Sequence, residues 1–307
     1  MSSNKYSYSK LECYKNCPYS FKLRYELGNY FYSDNVATVF GTNLHEREEY
    51  IFNCIRNNQP IDYVKAKNDF IVNCAKIEQK FTKDFNSPTK SGKTYKQEMY
   101  DFLDKGIYLL ERFHNEHPEY EFLDAEKEFN YNYKGILFHG FIDRVFRNKN
   151  DNTIYVEDIK SWNAPLANND EKLKLSLQAV VYALSVKDIY GAEPAEVTFS
   201  YDLPLLGIKQ NTRTGKDFIK DGMAELDNIF KKISEKDFHA SPSPLCHWCA
   251  FSKTNPNATP NQWLCPYFSH WTKDKKDFSV ENKWQGEEKD KDIVSLYYKM
   301  YNIKRGK

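Results

Sequence analysis

Between Gly140 and Trp162 the chain reads Gly-Phe-Ile-Asp-Arg-Val-Phe-Arg, a polar turn over 148–152, then Thr-Ile-Tyr-Val-Glu-Asp-Ile-Lys-Ser-Trp. Both runs have strand character, and the Asn-, Lys- and Asp-rich turn makes them a hairpin. Strand side chains alternate, so Ile154, Val156, Asp158 and Lys160 share a face. An apolar floor thus ends in a carboxylate and an ammonium pointing the same way. Asp143 closes the first run, where strand pairing would set its carboxylate beside Asp158. Two carboxylates and a lysine at strand ends suit a hard divalent cation and an attacking water. Mg²⁺ takes oxygen ligands, usually one or two carboxylates plus substrate phosphate. Lys160 can orient the water or neutralise charge that develops on phosphorus. A short Asp-x-Lys also arises by chance on solvated hairpins, so the weight falls on the pattern as a whole.

A second cluster lies in a Pro-rich stretch: Cys246-His-Trp-Cys249, fifteen residues, then Cys265-Pro. A Cys-x-x-Cys gives two thiolates the bite that a tetrahedral metal or cluster iron needs. Cys265 supplies a third sulfur. Cys17, also followed by Pro, is the best fourth, with Cys13 next and His247 open if the metal is zinc. Such a site staples residues 13–17 to residues 246–265. Cys54 and Cys74 fall inside helical patterns and read as buried thiols.

Helices and strands must position these groups. Ser9 is the expected cap of a short helix that Cys17-Pro18 breaks. Thr42 or Asn43 is the expected cap of the next, which places His45 near a helix start with Glu48 and Glu49 on its face. Residues 62–85 and 95–116 have helical spacing and form a helical insertion at about 60–118. Residues 121–133 and 135–147 read as strands, and the Asp158 strand completes a meander. Residues 172–190 read as a helix on which Gln178 and Tyr182, four apart, lie together. Residues 195–203 read as a strand, 215–235 as a helix, and 271–307 as a charged tail with a helix at 293–300.

Bulk properties narrow the classes. The chain has 307 residues, 40% hydrophobic and 16% aromatic, which makes it folded and globular. Net charge is +1, from 44 basic and 43 acidic residues, so any polyanion site is a local patch. Seven cysteines without an apolar leader point to a cytosolic chain with metal-bound or buried thiols, and no run is long enough for a membrane span.

Taken in order, Ser9-x-Leu11, Cys17-Pro18, Gly41-x-x-Leu44-His45, Gly140-Phe-Ile-Asp143-Arg, Asp158-Ile-Lys160 and Gln178-x-x-x-Tyr182 resemble the RecB-type branch of the PD-(D/E)XK nuclease superfamily. The terminal cysteines resemble its iron–sulfur subgroup, which includes CRISPR-associated and helicase–nuclease members. The resemblance implies an α+β (α/β) fold: a restriction-endonuclease-like core with a mixed central sheet flanked by helices, in one domain over 1–270. It implies that His45, Asp143, Asp158 and the Ile159 carbonyl hold Mg²⁺ or Mn²⁺, with Asp143, Asp158 and Lys160 catalytic. It implies a 4Fe–4S cluster on Cys17, Cys246, Cys249 and Cys265, with structural Zn²⁺ as the alternative because the 249–265 gap is long. Gln178 and Tyr182 would contact DNA, single-stranded or at duplex ends. The expected activity is a DNA exonuclease of a bacterium or phage, in the cytoplasm, with a helicase or recombination protein as candidate partner. A non-catalytic DNA- or partner-binding protein and an RNA-processing endonuclease are the competing readings.

Overall fold

The computed structural model describes residues 5–31, 35–165, 176–241, 243–253, 255, 257–265, 268–269 and 280–281. The chain divides into two compact units, residues 34–226 and residues 1–33 with 227–307.

The larger unit is built on a mixed sheet. Strands β2 (Tyr120–Tyr133), β3 (Ile136–Asn148) and β4 (Ile154–Ile159) form the expected antiparallel meander. A crossover helix then returns the chain so that β5 (Thr198–Leu203) pairs parallel to β4, and β6 (Ile208–Arg213) pairs antiparallel to β5. Strand β6 was not expected. Its sequence, Ile-Lys-Gln-Asn-Thr-Arg, is too polar to signal a strand, yet its ladder to β5 satisfies the backbone groups.

Three helix expectations need correction. Helix α1 (Tyr8–Asn16) is capped by Ser7, whose side chain takes the Lys10 N–H, and not by Ser9; α2 (Pro18–Phe21) follows directly. Helix α3 (Val36–Arg56) is capped by Asn35, whose Oδ1 accepts from Thr38 N at 3.0 Å, so His45 lies mid-helix and not at its start. The expected 62–85 and 95–116 helices are interrupted. The first becomes α4 (Tyr63–Lys80) and α5 (Thr82–Phe85); the second becomes α6 (Tyr95–Asp104) and α7 (Leu109–Glu116) about a 3₁₀ turn. On α4, Ala66, Phe70, Cys74 and Ile77 form the buried stripe. They pack with Phe40 of α3, Phe102 of α6, and Phe122 and Phe146 of the sheet.

The crossover helix, α8 (Leu177–Tyr190), is buried from Leu177 through Val186, as an all-round apolar helix must be. Ser176 caps it, and residues 172–175 of the expected helix lie outside the described residues. Its Tyr182 packs edge-on against Phe129 of β2 and Phe199 of β5, at 5.7 and 6.2 Å between ring centroids. Helix α9 (Lys216–Ser234) matches its expected span within a residue at each end.

In the smaller unit, β1 (Lys5–Tyr6), α1 and α2 lead into an aromatic cluster. Tyr14 packs on Phe21 and Phe238, and its hydroxyl donates to the Asp237 carbonyl at 2.7 Å. Tyr19, Leu23 and Phe251 form a second core beside Cys17, Cys249 and Cys265. The expected helix at 293–300 and most of the 271–307 tail lie outside the described residues. Among the described residues no helix is long and apolar enough to cross a membrane.

One glycine of the motif set has a packing reason. Gly140 pairs directly with Phe129, and a Cβ there would stand 3.0 Å from two atoms of that ring. The bare Cα lets Phe129 lie across β3 and buttress Tyr182. Gly140→Val should therefore destabilise the protein by about 1–3 kcal/mol. Thermal or denaturant unfolding measures this, and an unchanged midpoint would contradict the packing.

Candidate active site

The ladder between β3 and β4 is registered from Arg147–Ile154 to Arg144–Glu157, one residue short of Asp143 and Asp158. Beyond that point the Asp143 carboxylate takes over: its Oδ2 accepts the Ile159 N–H at 2.6 Å. Asp143 is thereby fixed at the mouth of the strand pair, and the peptide that carries Ile159 is fixed with it.

Helix α3 brings His45 to the same place, its Nδ1 3.6 Å from Asp143 Oδ2 and 4.0 Å from Glu126 Oε1. Glu126 was not anticipated. It lies on β2 with φ 45°, in the left-handed region that non-glycine residues rarely adopt. Asp124, Glu126 and Glu128 recur at period two, the one sequence signal that could have marked this face. Ligand atoms of His45, Glu126 and Asp143 lie within 4.8 Å of one another.

Asp158 is held separately. Its Oδ1 accepts from Gln178 Nε2 at 2.5 Å, and its Oδ2 lies 2.5 Å from Lys160 Nζ. Gln178 and Tyr182, expected to face nucleic acid, are 4% and 6% exposed. Their polar atoms bond inward. The Gln178 amide also donates to the Tyr182 hydroxyl at 3.1 Å and accepts from Tyr201 at 3.3 Å, while the Tyr182 hydroxyl donates to the Phe141 carbonyl at 2.9 Å.

These placements set the electrostatics. Burial, and then Asp158, push the Asp143 carboxyl up to about 7. Burial acts to lower His45 and Lys160. Glu126 and the two aspartates outweigh it at His45, and Asp158 outweighs it at Lys160, so both end raised. A mixed imidazole and carboxylate donor set, with one carboxyl pushed up by burial and then by Asp158, fits a divalent cation whose charge opposes that shift. A groove of about 580 Å³, lined by Thr38, Thr42, His45, Glu49, Glu126 and Phe141, gives it access to solvent.

All seven cysteines are free thiols: five lie in the smaller unit, and of the two in the larger, Cys74 is buried as expected while Cys54 is only half-buried. Cys13, Cys17, Cys246, Cys249 and Cys265 line one cavity of about 610 Å³. Backbone N–H groups of Ser241 and Ser243 point at the sulfurs of Cys17 and Cys246, each at 3.5 Å. The Ser20 hydroxyl lies 3.9 Å from both Cys13 and Cys249. Burial pushes the Cys249 thiol up to about 11. Among the described residues no three of these sulfurs come within 4.8 Å of one another.

A family profile, described as the PD-(D/E)XK nuclease superfamily, matches residues 5–254. The chain belongs to that superfamily. No curated protein matches this nuclease in sequence. Among solved structures it resembles a Eubacterium rectale protein provisionally named an exonuclease, at 10% identity and a TM-score of 0.45, over 80% of this chain and 87% of that one. PD-(D/E)XK nucleases are hydrolytic and use divalent metals, and this nuclease carries a His–Glu–Asp group of suitable spacing.

Cation binding requires deprotonated ligands. With Asp143 at about 7 and His45 raised, Mn²⁺ affinity should rise with pH and level off above about 7. Calorimetric titration across that range checks this; a flat profile would contradict it. Burial also lifts Glu48, behind the site, to about 7. A carboxyl raised on folding stabilises most below its unfolded pKa. The ion-free protein should therefore lose stability as pH climbs from the ordinary glutamate value of 4.5 to about 7, and Glu48→Gln should flatten part of that slope in pH-dependent unfolding.

Proposed function

We propose that this nuclease is a Mg²⁺- or Mn²⁺-dependent DNA exonuclease acting on single strands or frayed ends. The carrying observation is the meeting of His45, Asp143, Asp158 and Lys160 where β3 and β4 part. Glu126 clusters with His45 and Asp143, and with Asp158 and the Ile159 carbonyl these are the groups that would hold the cation. When bound, the cation supplies charge stabilisation at the scissile phosphate and lowers the pKa of a water.

The chain's own residues do the rest. Lys160, kept protonated by Asp158, acts as an electrophile that offsets charge on the phosphorus in flight, and not as a base. Gln178 holds Asp158 from behind, and Tyr182 fixes Gln178 to the Phe141 backbone. Nucleic-acid contact falls instead to Phe141, 48% exposed two residues before Asp143 on the same strand face. Two strand residues span about 6.6 Å, and an exposed ring at that distance can stack a splayed base next to the cut. Stacking of this kind favours unpaired strands, which supports the preference for ends.

The cysteine cavity is assigned to a 4Fe–4S cluster on Cys17, Cys246, Cys249 and Cys265. A tetrahedral zinc with Zn–S of about 2.3 Å would draw four sulfurs to roughly 3.8 Å from one another. Backbone N–H groups aimed at Cys17 and Cys246 support a site that holds thiolates, and the resemblance of the terminal cysteines to the iron–sulfur subgroup is what favours the cluster over zinc.

Asp158→Asn and Lys160→Ala should each slow Mn²⁺-dependent cleavage of labelled single-stranded DNA by at least about 100-fold, with the melting temperature little changed. Full activity in either, or cleavage that survives EDTA, would refute the assignment; preference for RNA would move it to RNA processing. Phe141→Ala should raise KM on single strands by about 10-fold, in line with a loss of about 1–3 kcal/mol of stacking. Protein purified without oxygen should contain iron and sulfide and absorb in the visible, and Cys246→Ser should lose both; stoichiometric zinc instead would overturn the cluster.

A further inference from the structure

Adjacent residues on a strand point to opposite faces, so Arg144 and Glu157 turn away from Asp143 and Asp158. On that hidden side the Arg144 guanidinium is 0% exposed and reaches three carboxylates from three elements. Its Nη1 donates to Glu48 Oε2 of α3 at 2.9 Å, and its Nη2 lies 3.2 Å from Glu157 Oε2 of β4 and bonds Asp202 of β5. Lys209 of β6 completes the group, with Nζ 2.6 Å from Glu157 Oε1.

Each partner is tied to a site residue. Glu48 follows His45 by one helical turn and shares its face. Glu157 precedes Asp158. The Asp202 carbonyl accepts the Lys160 N–H at 2.8 Å. Arg144 itself follows Asp143. A planar guanidinium fork fixes direction as well as distance, which an apolar contact of the same volume does not.

We infer that Arg144 is a positioning residue for the cation site. Through Glu48 it sets the rotation and rise of α3 and so the reach of His45; through Glu157 and Asp202 it sets β4 against β5 and so the pose of Asp158 and Lys160. The inference rests on the cation site proposed above. None of these four residues touches the cation or the substrate.

The test is Mn²⁺ binding to the full chain, read by electron paramagnetic resonance of the free ion, with far-UV circular dichroism and melting temperature recorded for each variant. Arg144→Lys keeps the charge and removes the fork; Glu48→Leu removes the α3 contact; Glu48→Gln keeps a hydrogen-bonding side chain there. Phe102→Leu, in the aromatic core away from the cluster, controls for lost stability alone. Arg144→Lys and Glu48→Leu should weaken Mn²⁺ binding about 10–100-fold, the range for groups that orient ligands, while Glu48→Gln restores most of it and Phe102→Leu leaves it within about twofold. Should Arg144→Lys not fold, the Glu48 pair carries the comparison. Equal Kd values in wild type and Glu48→Leu, or a Phe102→Leu loss as large as that of Glu48→Leu, would overturn the positioning role. A wild-type protein that binds no Mn²⁺ would instead remove the cation site on which the inference rests.

Discussion

Two carboxylates, Asp143 and Asp158, converge where a strand pair opens, and their repulsion in a half-dry setting is the condition the surrounding structure answers. The Ile159 N–H, the Gln178 amide, the Lys160 ammonium and the His45 ring are all placed to offset it. The offset is incomplete, since burial and then Asp158 still push the Asp143 carboxyl up to about 7. That residual demand for positive charge is what links the fold to metal-dependent hydrolysis.

Strand alternation lets one segment serve two purposes. The residues facing the groove are the ones to which the proposed chemistry falls. Their neighbours, Arg144 and Glu157, carry a buried ion cluster whose members reach α3, β4, β5 and β6. Buried ion clusters are weak sources of stability compared with apolar packing. The aromatic core around Phe40, Phe70 and Phe102 holds the layers together, and the cluster gives them a definite angle and register. Glu126 pays into the same arrangement from the other side: its backbone accepts an unfavourable φ while its carboxylate faces His45.

Much of this was legible in the residues, for physical reasons. Period-two alternation and the polar turn gave the hairpin, and helical spacing located α4, α6 and α8. That Asp143, Asp158, Lys160 and His45 come together was legible because their types and order are restrictive. What escaped depended on tertiary context. Asn35, not Thr42 or Asn43, caps α3, and Gly41 lies inside the helix, where a Cβ would meet Ser161 Oγ at 3.0 Å; a glycine reads as a break until that packing is known. Strand β6 is polar and owes its form to the β5 ladder. The partners of Gln178 and Tyr182 could not be read from their four-residue spacing, which puts them on one face without saying what that face meets. Glu126 needed a local distortion of β2 that no residue pattern announces.

The most direct test of the central claim is a crystal structure of the protein soaked in Mn²⁺, with data collected to reveal the anomalous signal of the ion. The account expects a peak bonded to Asp143 and Asp158, with His45 and Glu126 within reach and Lys160 beside the open coordination sites. A protein that cleaves DNA in the same Mn²⁺ buffer but whose ion binds elsewhere, with Asp143 and Asp158 left unliganded, would contradict it.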